Sequence, residues 1–469
     1  MVRTPIVLSL VALAAASCTT GRTSTPHGQQ PSTSAPSASA TPTPTVSPST
    51  AALAGWPTYH GTADRAGVAD TVALRPPLKV VWRNGLDGAV YAQPIIAAGH
   101  VIAATENNTL YAFDPTTGDT AWARHLAAPI PASALPCGNI DPSGITGTPA
   151  YDAHTGLIFT VTESAGARHV LWGVDARTGK VRWQRNVDLA SDRDPKAQQE
   201  RGAVLVNGGR VVVAFGGRFG DCGNYVGYVV SIATTGAGPA RVYAVPTARE
   251  GGIWAAAGPV VGPGGDIYVA SGNGAETGGR YDGSDSVIRL SSTLRRKAFF
   301  APSTWPQDNA QDLDLGSMSP AVVGNRVLIA GKRGTVYLLN ASLGGIGGQV
   351  ASIQRCDGFG GAAVDGGTVY LPCANGVRAL LVGSTGRMRW SWGPVFGLLS
   401  PVVARGVVYA LDDQEQGRGT LVELDARTGH RLGSVVLGAM VTRFATPVPF
   451  GPFVFAGTTS GLVAVAGNS

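Results

Sequence analysis

The stretch LYAFDPTTGDTAW, from Leu110 to Trp122, contains the alternation and the turn that decide the fold. In its first half Tyr111 and Phe113 fall on one side of a strand and the intervening residues on the other, as in a sheet covered on both faces. The Asp-Pro-Thr-Thr-Gly segment that follows has the residue types of a tight turn. The second strand then brings an aromatic ring, Trp122, to the edge of the sheet. The stretch predicts a pair of strands joined by a short turn.

The same pattern recurs along the chain, as LWGVDARTGKVRW from Leu171 to Trp183 and as LVELDARTGHRL from Leu421 to Leu432. A catalytic group is needed once per site, so a recurring motif indicates a structural role. Including the surrounding strands, repeat copies begin near residues 90 and 145 and then near Ala203, Pro259, Pro320, Ala363, Pro401 and Pro447. Their spacing of about 50 residues is that of a four-stranded propeller blade. We therefore expect an all-β, eight-bladed β-propeller of four-stranded antiparallel blades.

The composition agrees with this fold class, since 65 glycines and 31 prolines accompany only 14% charged residues. The ring is also expected to close on itself. The last copy, TPVPFGPFVFAGTTSGLVAV, supplies three strands and lacks the outer one. A suitable strand, PLKVVWRNGL around Trp82, lies at the other end of the propeller sequence. Pairing of this N-terminal strand with the last blade would remove both open sheet edges.

Three regions differ in composition. Residues 1–18 have a basic start, a short apolar run and small residues before Cys18, which together predict an export signal. The order Ala-Ala-Ser-Cys resembles the lipobox of bacterial lipoproteins, in which the cysteine is acylated; the alternative is a plain secretory signal cleaved nearby. Residues 19–53 are rich in Ser, Thr and Pro and predict a disordered tether. Residues 54–469 form the propeller domain, which we expect outside the cytoplasm on the cell membrane, or otherwise secreted.

Four cysteines remain after Cys18, an even number that suggests two disulfides in an oxidising compartment. Three pairings are possible. The favoured one joins Cys356 to Cys373, which are close in sequence, and Cys137 to Cys222, which both lie in Gly-Asn loops. No CxxC or CxxCH motif is present, so the sequence supports neither a zinc ribbon nor a c-type haem.

The charges and histidines exclude several functions. The net charge of +6 is spread along the chain without a block of basic residues, so nucleic acid is not an expected partner. The seven histidines show no HxH or HExxH spacing. No GxSxG segment provides a hydrolase nucleophile.

The repeat unit, in which Leu-Tyr-Ala-Phe-Asp is followed by Thr-Gly and then by Trp, is similar to the pyrroloquinoline-quinone-like (PQQ-like) propeller repeat. That family includes quinoprotein alcohol dehydrogenases and non-enzymatic propellers such as the BamB-type outer-membrane assembly factor. The resemblance covers the chain from about residue 55 onward, and it implies the fold more specifically than the activity.

If the chain is a quinoprotein, the resemblance also implies cofactors, PQQ and Ca²⁺, and the residues that hold them. Asp312 or Asp314 would be the catalytic base, and Trp254 and Lys332 would contact the quinone. The metal ligands would be Glu163 and Asn273. The chain departs from the enzymes at Glu106–Asn108, where their adjacent pair of cysteines would lie, and it has no haem motif.

Long segments that interrupt the blades, residues 136–146, 216–225 and 300–316, are rich in polar and aromatic residues. We expect them to form a ligand mouth on one face of the ring. The leading hypothesis is a lipid-anchored binding or scaffolding module whose partner is a protein, a cell-wall component or a small molecule. The alternative is a Ca²⁺-dependent quinoprotein alcohol dehydrogenase.

Overall fold

Eight β-sheets follow one another along the computed structural model of the chain, each built around four antiparallel strands. The structure describes residues 55–71, 73–166, 168–189, 193–413 and 417–468. The expected eight-bladed, all-β propeller is therefore confirmed. The predicted signal, Cys18 and the predicted tether lie outside the described residues.

Blades 1 to 4 occupy the first half of the ring, and their strands are given from the inner to the outer one. Blade 1 consists of Ile95–Ala97, His100–Ala104, Thr109–Phe113 and Thr120–His125, and blade 2 of Ala150–Asp152, Leu157–Ser164, Arg168–Asp175 and Val181–Asn186. Blade 3 consists of Leu205–Asn207, Arg210–Gly217, Tyr228–Ala233 and Arg241–Ala244, and blade 4 of Val260–Val261, Ile267–Ser271, Ser286–Leu290 and Arg296–Ala301.

Blades 5 to 8 complete the ring. Blade 5 consists of Ala321–Val323, Arg326–Ala330, Thr335–Asn340 and Ala351–Gln354, and blade 6 of Ala363–Asp365, Thr368–Cys373, Gly376–Val382 and Met388–Val395. Blade 7 consists of Val402–Ala404, Val407–Asp412, Thr420–Asp425 and Arg431–Val436, and blade 8 of Val448–Phe450, Phe453–Thr458, Gly461–Asn468 and Arg75–Gly85.

Few other elements are present in the described part of the chain. Three short strands, Val68–Ala69, Gln198–Gln199 and Gly345–Ile346, extend blades 7, 3 and 4. The helices are the α-helix Trp305–Ala310 and the 3₁₀ turns Ala132–Ala134, Pro195–Ala197, Pro263–Gly265 and Leu315–Ser317. None of the described helices is long and apolar enough to cross a membrane.

The outer-strand tryptophan of a blade docks on the Thr-Gly turn of the next blade. Trp122 of blade 1 donates from Nε1 to the carbonyl of Ala176, 3.1 Å away, and a Cβ on Gly179 would lie 2.6 Å from its ring. Trp82 makes the equivalent contact with blade 1, donating to the carbonyl of Pro115 at 3.2 Å. Where a copy carries the tryptophan, the recurring motif is therefore a joint between two blades.

The N-terminal strand closes the ring as predicted. Arg75–Gly85 pairs antiparallel with Gly461–Asn468, and Trp82 lies opposite Ala464. One hydrophobic core cluster then contains side chains of blades 7, 8 and 1 together, including Val402, Phe455 and Phe113. The apolar core is thus continuous across the point where the two chain ends meet.

Residues 56–71, to which the sequence analysis assigned no role, run along the inner strands of the ring; we call them the axial plug. Carbonyls of the plug accept hydrogen bonds of 2.7–2.8 Å from inner-strand amides in five blades, those of Ile96, Tyr151, Val261, Val364 and Val403. The side chains of Thr58 and Thr71 donate to the carbonyls of Val204 and Gly451, at 3.3 and 2.6 Å. Because the inner strands of a propeller surround its axis, the plug fills the central channel. It also provides hydrogen-bond partners for inner-strand amides that water would otherwise solvate.

Both predicted disulfides are confirmed. Cys137 is bonded to Cys222 and Cys356 to Cys373. Two disulfides indicate an oxidising, extracytoplasmic compartment.

Candidate functional site

Eight residues occupy the same position in the eight blades, four residues before the start of each inner strand, and we call them the axial ring. They are Tyr91, Thr146, Arg201, Ala256, Ser317, Phe359, Leu398 and Phe444. Seven of them, all except Ser317, line one of two cavities. The propeller therefore presents one equivalent side chain from almost every blade to a single region beside the axis.

The larger cavity has a volume of about 680 Å³ and lies beside blades 6, 7 and 8. The smaller one holds only about 10 Å³, and Tyr59 of the axial plug lines it. Phe444 and Arg443 border both. Because the plug blocks the channel, a ligand has room in the larger cavity but not along the axis.

Arg443 and Arg201 both approach the ring of Phe444, with guanidinium carbons 5.8 and 5.4 Å from its centroid. Arg443 also lies 5.0 Å from the centroid of Phe359. Phe396, at the edge of the same cavity, is 71% exposed. We call Arg201, Phe359, Phe396, Arg443 and Phe444 the axial mouth.

The backbone of Phe444 is in the left-handed region, with φ 75°. Bulky residues rarely adopt this conformation, which costs free energy and is found most often at functional sites. In this chain it places the phenyl ring between two arginines and in T-shaped contact with Trp254, at a centroid distance of 6.1 Å.

Five of the six residues implied for a quinoprotein site lie together on blades 4 and 5, and we call them the Lys332 cluster. Nζ of Lys332 is 2.5 Å from Oδ2 of Asp314, 2.9 Å from Oδ1 of Asp312 and 5.9 Å from the centroid of Trp254. The backbone amide of Asn273 donates to Oδ1 of Asp314 at 2.8 Å.

Burial and charge set the ionisation of this cluster. Burial raises the pKa of Asp314 to about 6, although Lys332 acts in the opposite direction. Burial alone would lower the pKa of Lys332, but the carboxylate of Asp314 outweighs it and the net shift is upward. The two side chains thus form an ion pair that stabilises the charged form of the lysine.

The sixth residue, Glu163, has different partners. Its carboxylate forms an ion pair with Arg218 and accepts a hydrogen bond of 2.7 Å from the Ser143 hydroxyl. The Glu163 and Arg218 side chains are only 3% and 1% exposed. Among the described residues, no hydrogen bond or ion pair joins Glu163 to Asn273 or to Lys332.

The side chains as arranged do not fit a Ca²⁺ ion. Arg218 already neutralises Glu163, the only carboxylate among the two implied metal ligands, and Lys332 neutralises Asp314, one of the two implied bases. In the part of the chain that the structure describes, no three His, Cys, Asp or Glu side chains are grouped as a metal site. The assignment of Glu163 and Asn273 as metal ligands stays a prediction.

The long segments expected to form a mouth contact one another. The disulfide of Cys137 joins residues 136–146 to residues 216–225. Tyr225 of the second segment lies close enough to Asp221 and to Asp314, in the third, for both carboxylates to raise the pKa of its hydroxyl, in addition to the effect of burial. The larger cavity, however, is lined by blades 6 to 8 rather than by these three segments.

The sequence analysis missed all five residues of the axial mouth. A signal was present, because Arg201, Phe359 and Phe444 all stand four residues before an inner strand. That position lines one of the two cavities in seven of the eight blades, so an arginine or a phenyl ring there is a candidate ligand contact.

One known protein family matches part of this sequence. A family described as outer membrane protein assembly factor BamB matches residues 61–290. No match was found among curated proteins.

Solved structures with the same fold include enzymes and an assembly factor. The quinohemoprotein alcohol dehydrogenase of Comamonas testosteroni is 17% identical, with a TM-score of 0.66, over 90% of this chain and 82% of that one. A europium-containing methanol dehydrogenase is 14% identical, with a TM-score of 0.68, over 88% and 98%. BamB of Moraxella catarrhalis is 16% identical, with a TM-score of 0.56, over 84% and 98%. Identities this low establish the shared fold alone.

Proposed function

We propose that this chain, which shares its propeller fold with quinohemoprotein alcohol dehydrogenase and BamB and matches the BamB family over residues 61–290, is an extracytoplasmic binding or scaffolding module that engages its ligand or partner through the axial mouth. A lipid on Cys18 anchors it to the membrane. Residues 19–53 link this lipid to the propeller.

The observation that carries this proposal is the cavity of about 680 Å³ at the axial mouth. Its volume falls within the range of small-molecule and anchor-residue pockets. Phe359, Phe396 and Phe444 provide apolar surface, and Arg443 provides a charge that orients a ligand. A combination of aromatic rings and arginine is typical of the residues that dominate binding energy at interfaces.

Site-specific photo-crosslinking in intact cells tests this role. A photoreactive residue replaces Phe396 in the full chain; the control replaces Val242, which is 47% exposed on the outer strand of blade 3. We expect a discrete adduct, detected as a defined mass increase, from position 396 and none from position 242. Equal yields from both positions, or no adduct at position 396, would contradict the proposal.

A second candidate function is favoured by one observation, the convergence of Trp254, Asn273, Asp314 and Lys332. In a Ca²⁺-dependent quinoprotein alcohol dehydrogenase, Asp314 or Asp312 would accept the substrate proton and Lys332 would polarise the quinone. The ion pair between Arg218 and Glu163 counts against it, because the glutamate would have to exchange a guanidinium for the metal.

Quinone titration separates the two functions. The purified chain is mixed with Ca²⁺ and micromolar PQQ, and both the absorption of bound quinone and alcohol-dependent dye reduction are measured. The binding role predicts neither signal. Stoichiometric quinone uptake with alcohol-dependent reduction would establish the dehydrogenase instead.

A further inference from the structure

Arg443 and Arg201 are two cations that converge on one phenyl ring without an acidic partner. Among the described residues neither side chain forms an ion pair or a hydrogen bond to a carboxylate. Arg443 lies over the rings of Phe359 and Phe444, and Arg201 lies over that of Phe444. Like charges held close together at a partly buried site repel one another, and a negative charge bound at Arg443 would relieve that repulsion.

Glu106 is the acidic group whose charge acts most directly on Arg201, and it is only partly ionised at neutral pH. It is 1% exposed, and burial raises its pKa to about 7. Its Oε2 atom accepts hydrogen bonds from the amide of Gly144 and the hydroxyl of Thr146, at 2.7 and 3.2 Å. The carboxyl is therefore directed into the protein rather than toward the mouth.

Rings and carboxylates line the same cavity: Phe359, Phe396 and Phe444 contribute the rings, and Asp412 and Asp413 contribute the carboxylates. An anionic ligand would be oriented with its charge toward Arg443 and its apolar body among the rings.

We infer that the axial mouth binds an organic anion with a flat apolar body, whose carboxylate is held by Arg443 and whose body packs on Phe359, Phe396 and Phe444. The inference rests on the proposed function, since it names the ligand class for the same mouth. It assigns the ligand to blades 6 to 8 and not to the Lys332 cluster.

Calorimetric titration of the full chain with two probes tests the inference. Naphthoate has a flat apolar body and a carboxylate, and naphthamide is its neutral counterpart of nearly the same shape. We expect naphthoate to bind at one site and about tenfold or more tightly than naphthamide, since a charge-assisted contact accounts for at least that factor.

Three variants locate the site. Arg443→Gln should weaken naphthoate binding about tenfold or more and leave naphthamide binding within about twofold. Arg182→Gln is the matched control, because Arg182 is an exposed arginine in an ion pair with Asp175 on blade 2. Lys332→Gln examines the neighbouring cluster. Both of these variants should bind naphthoate like the unaltered chain.

Each other outcome overturns the inference. If the two probes bind equally, the mouth takes apolar ligands without charge selection. If Lys332→Gln abolishes naphthoate binding and Arg443→Gln does not, the anion belongs to the Lys332 cluster. If neither probe binds, the ligand class is wrong, while crosslinking at position 396 still decides the binding role independently.

Discussion

The guanidinium of Arg218 in blade 3 is paired with the carboxylate of Glu163 in blade 2, and both side chains are almost completely buried. Removal of one member would leave the other charge unpaired inside the protein. We expect Arg218→Ala to lower the free energy of unfolding by about 3–5 kcal/mol, a typical cost for breaking a buried pair. Urea denaturation measures this cost.

A matched surface pair supplies the control. Arg182 and Asp175 are also in contact, but the Arg182 side chain is 49% exposed. Arg182→Ala should therefore cost about 1 kcal/mol or less. Equal effects of the two substitutions would show that burial of the Arg218–Glu163 pair does not increase its contribution to stability.

Because Trp82 packs on the Thr-Gly turn of blade 1, we expect substitution of Gly118 by a larger residue to be destabilising. This residue has φ 78°, and a Cβ would lie 2.8 Å from the Trp82 ring. Gly118→Ala should lower the free energy of unfolding by about 2–4 kcal/mol, combining backbone strain with overpacking. Gly99→Ala is the control, because Gly99 has φ 86° with no atom within 4 Å of its Cβ position. It should show only the backbone cost of about 1 kcal/mol.

The two disulfides should differ in their contribution to stability. Cys137 and Cys222 are 85 residues apart, whereas Cys356 and Cys373 are 17 apart. Chain-entropy arguments give about 4.5 kcal/mol for the longer loop and about 3 kcal/mol for the shorter one. Guanidinium denaturation of the two double Cys→Ala variants measures both values. A larger loss for the shorter loop would mean that the loop-entropy argument does not hold here.

The free energy of unfolding should also fall as the pH rises from about 4.5 to about 7, in part because of Glu423. This side chain is fully buried, and burial raises its pKa to about 7 from an ordinary 4.5. A carboxyl with a raised pKa binds its proton more tightly in the folded state, so it favours folding below pH 4.5 and costs stability as pH rises toward 7. The loss is on the order of 3 kcal/mol.

Thermal unfolding of Glu423→Gln between pH 4 and 8 measures this contribution. The variant should lose less stability over that range than the unaltered chain, because its side chain no longer titrates. Other buried carboxyls titrate in both proteins, so the difference between the two curves is the relevant quantity. If the stabilities of the two proteins change in parallel with pH, Glu423 does not contribute to the pH dependence.

The architecture was predictable because its signal is repeated. Eight copies of one pattern gave the blade number, and the missing outer strand of the last copy indicated the partner of Arg75–Gly85. The axial plug was not predictable, since residues 56–71 pair through backbone carbonyls and need no recurring side-chain pattern.

The candidate site was predicted only in part. Trp254, Asn273, Asp314 and Lys332 were brought together as the family resemblance implied, because their places in the repeat fix their places in space. The partner of Glu163 was missed, since an ion pair with Arg218 depends on side-chain directions in two different blades. The axial mouth was missed for another reason: three of its residues, Arg201, Phe359 and Phe444, share a position in the repeat but differ in type from the residues at that position in other blades.

The most direct test of the binding account is a crystal structure of the full propeller domain grown with naphthoate. The account predicts the carboxylate within hydrogen-bond distance of the Arg443 guanidinium and the rings packed against Phe359 and Phe444. A naphthoate stacked on Trp254, with its carboxylate on Lys332, would contradict the account and assign ligand binding to the Lys332 cluster.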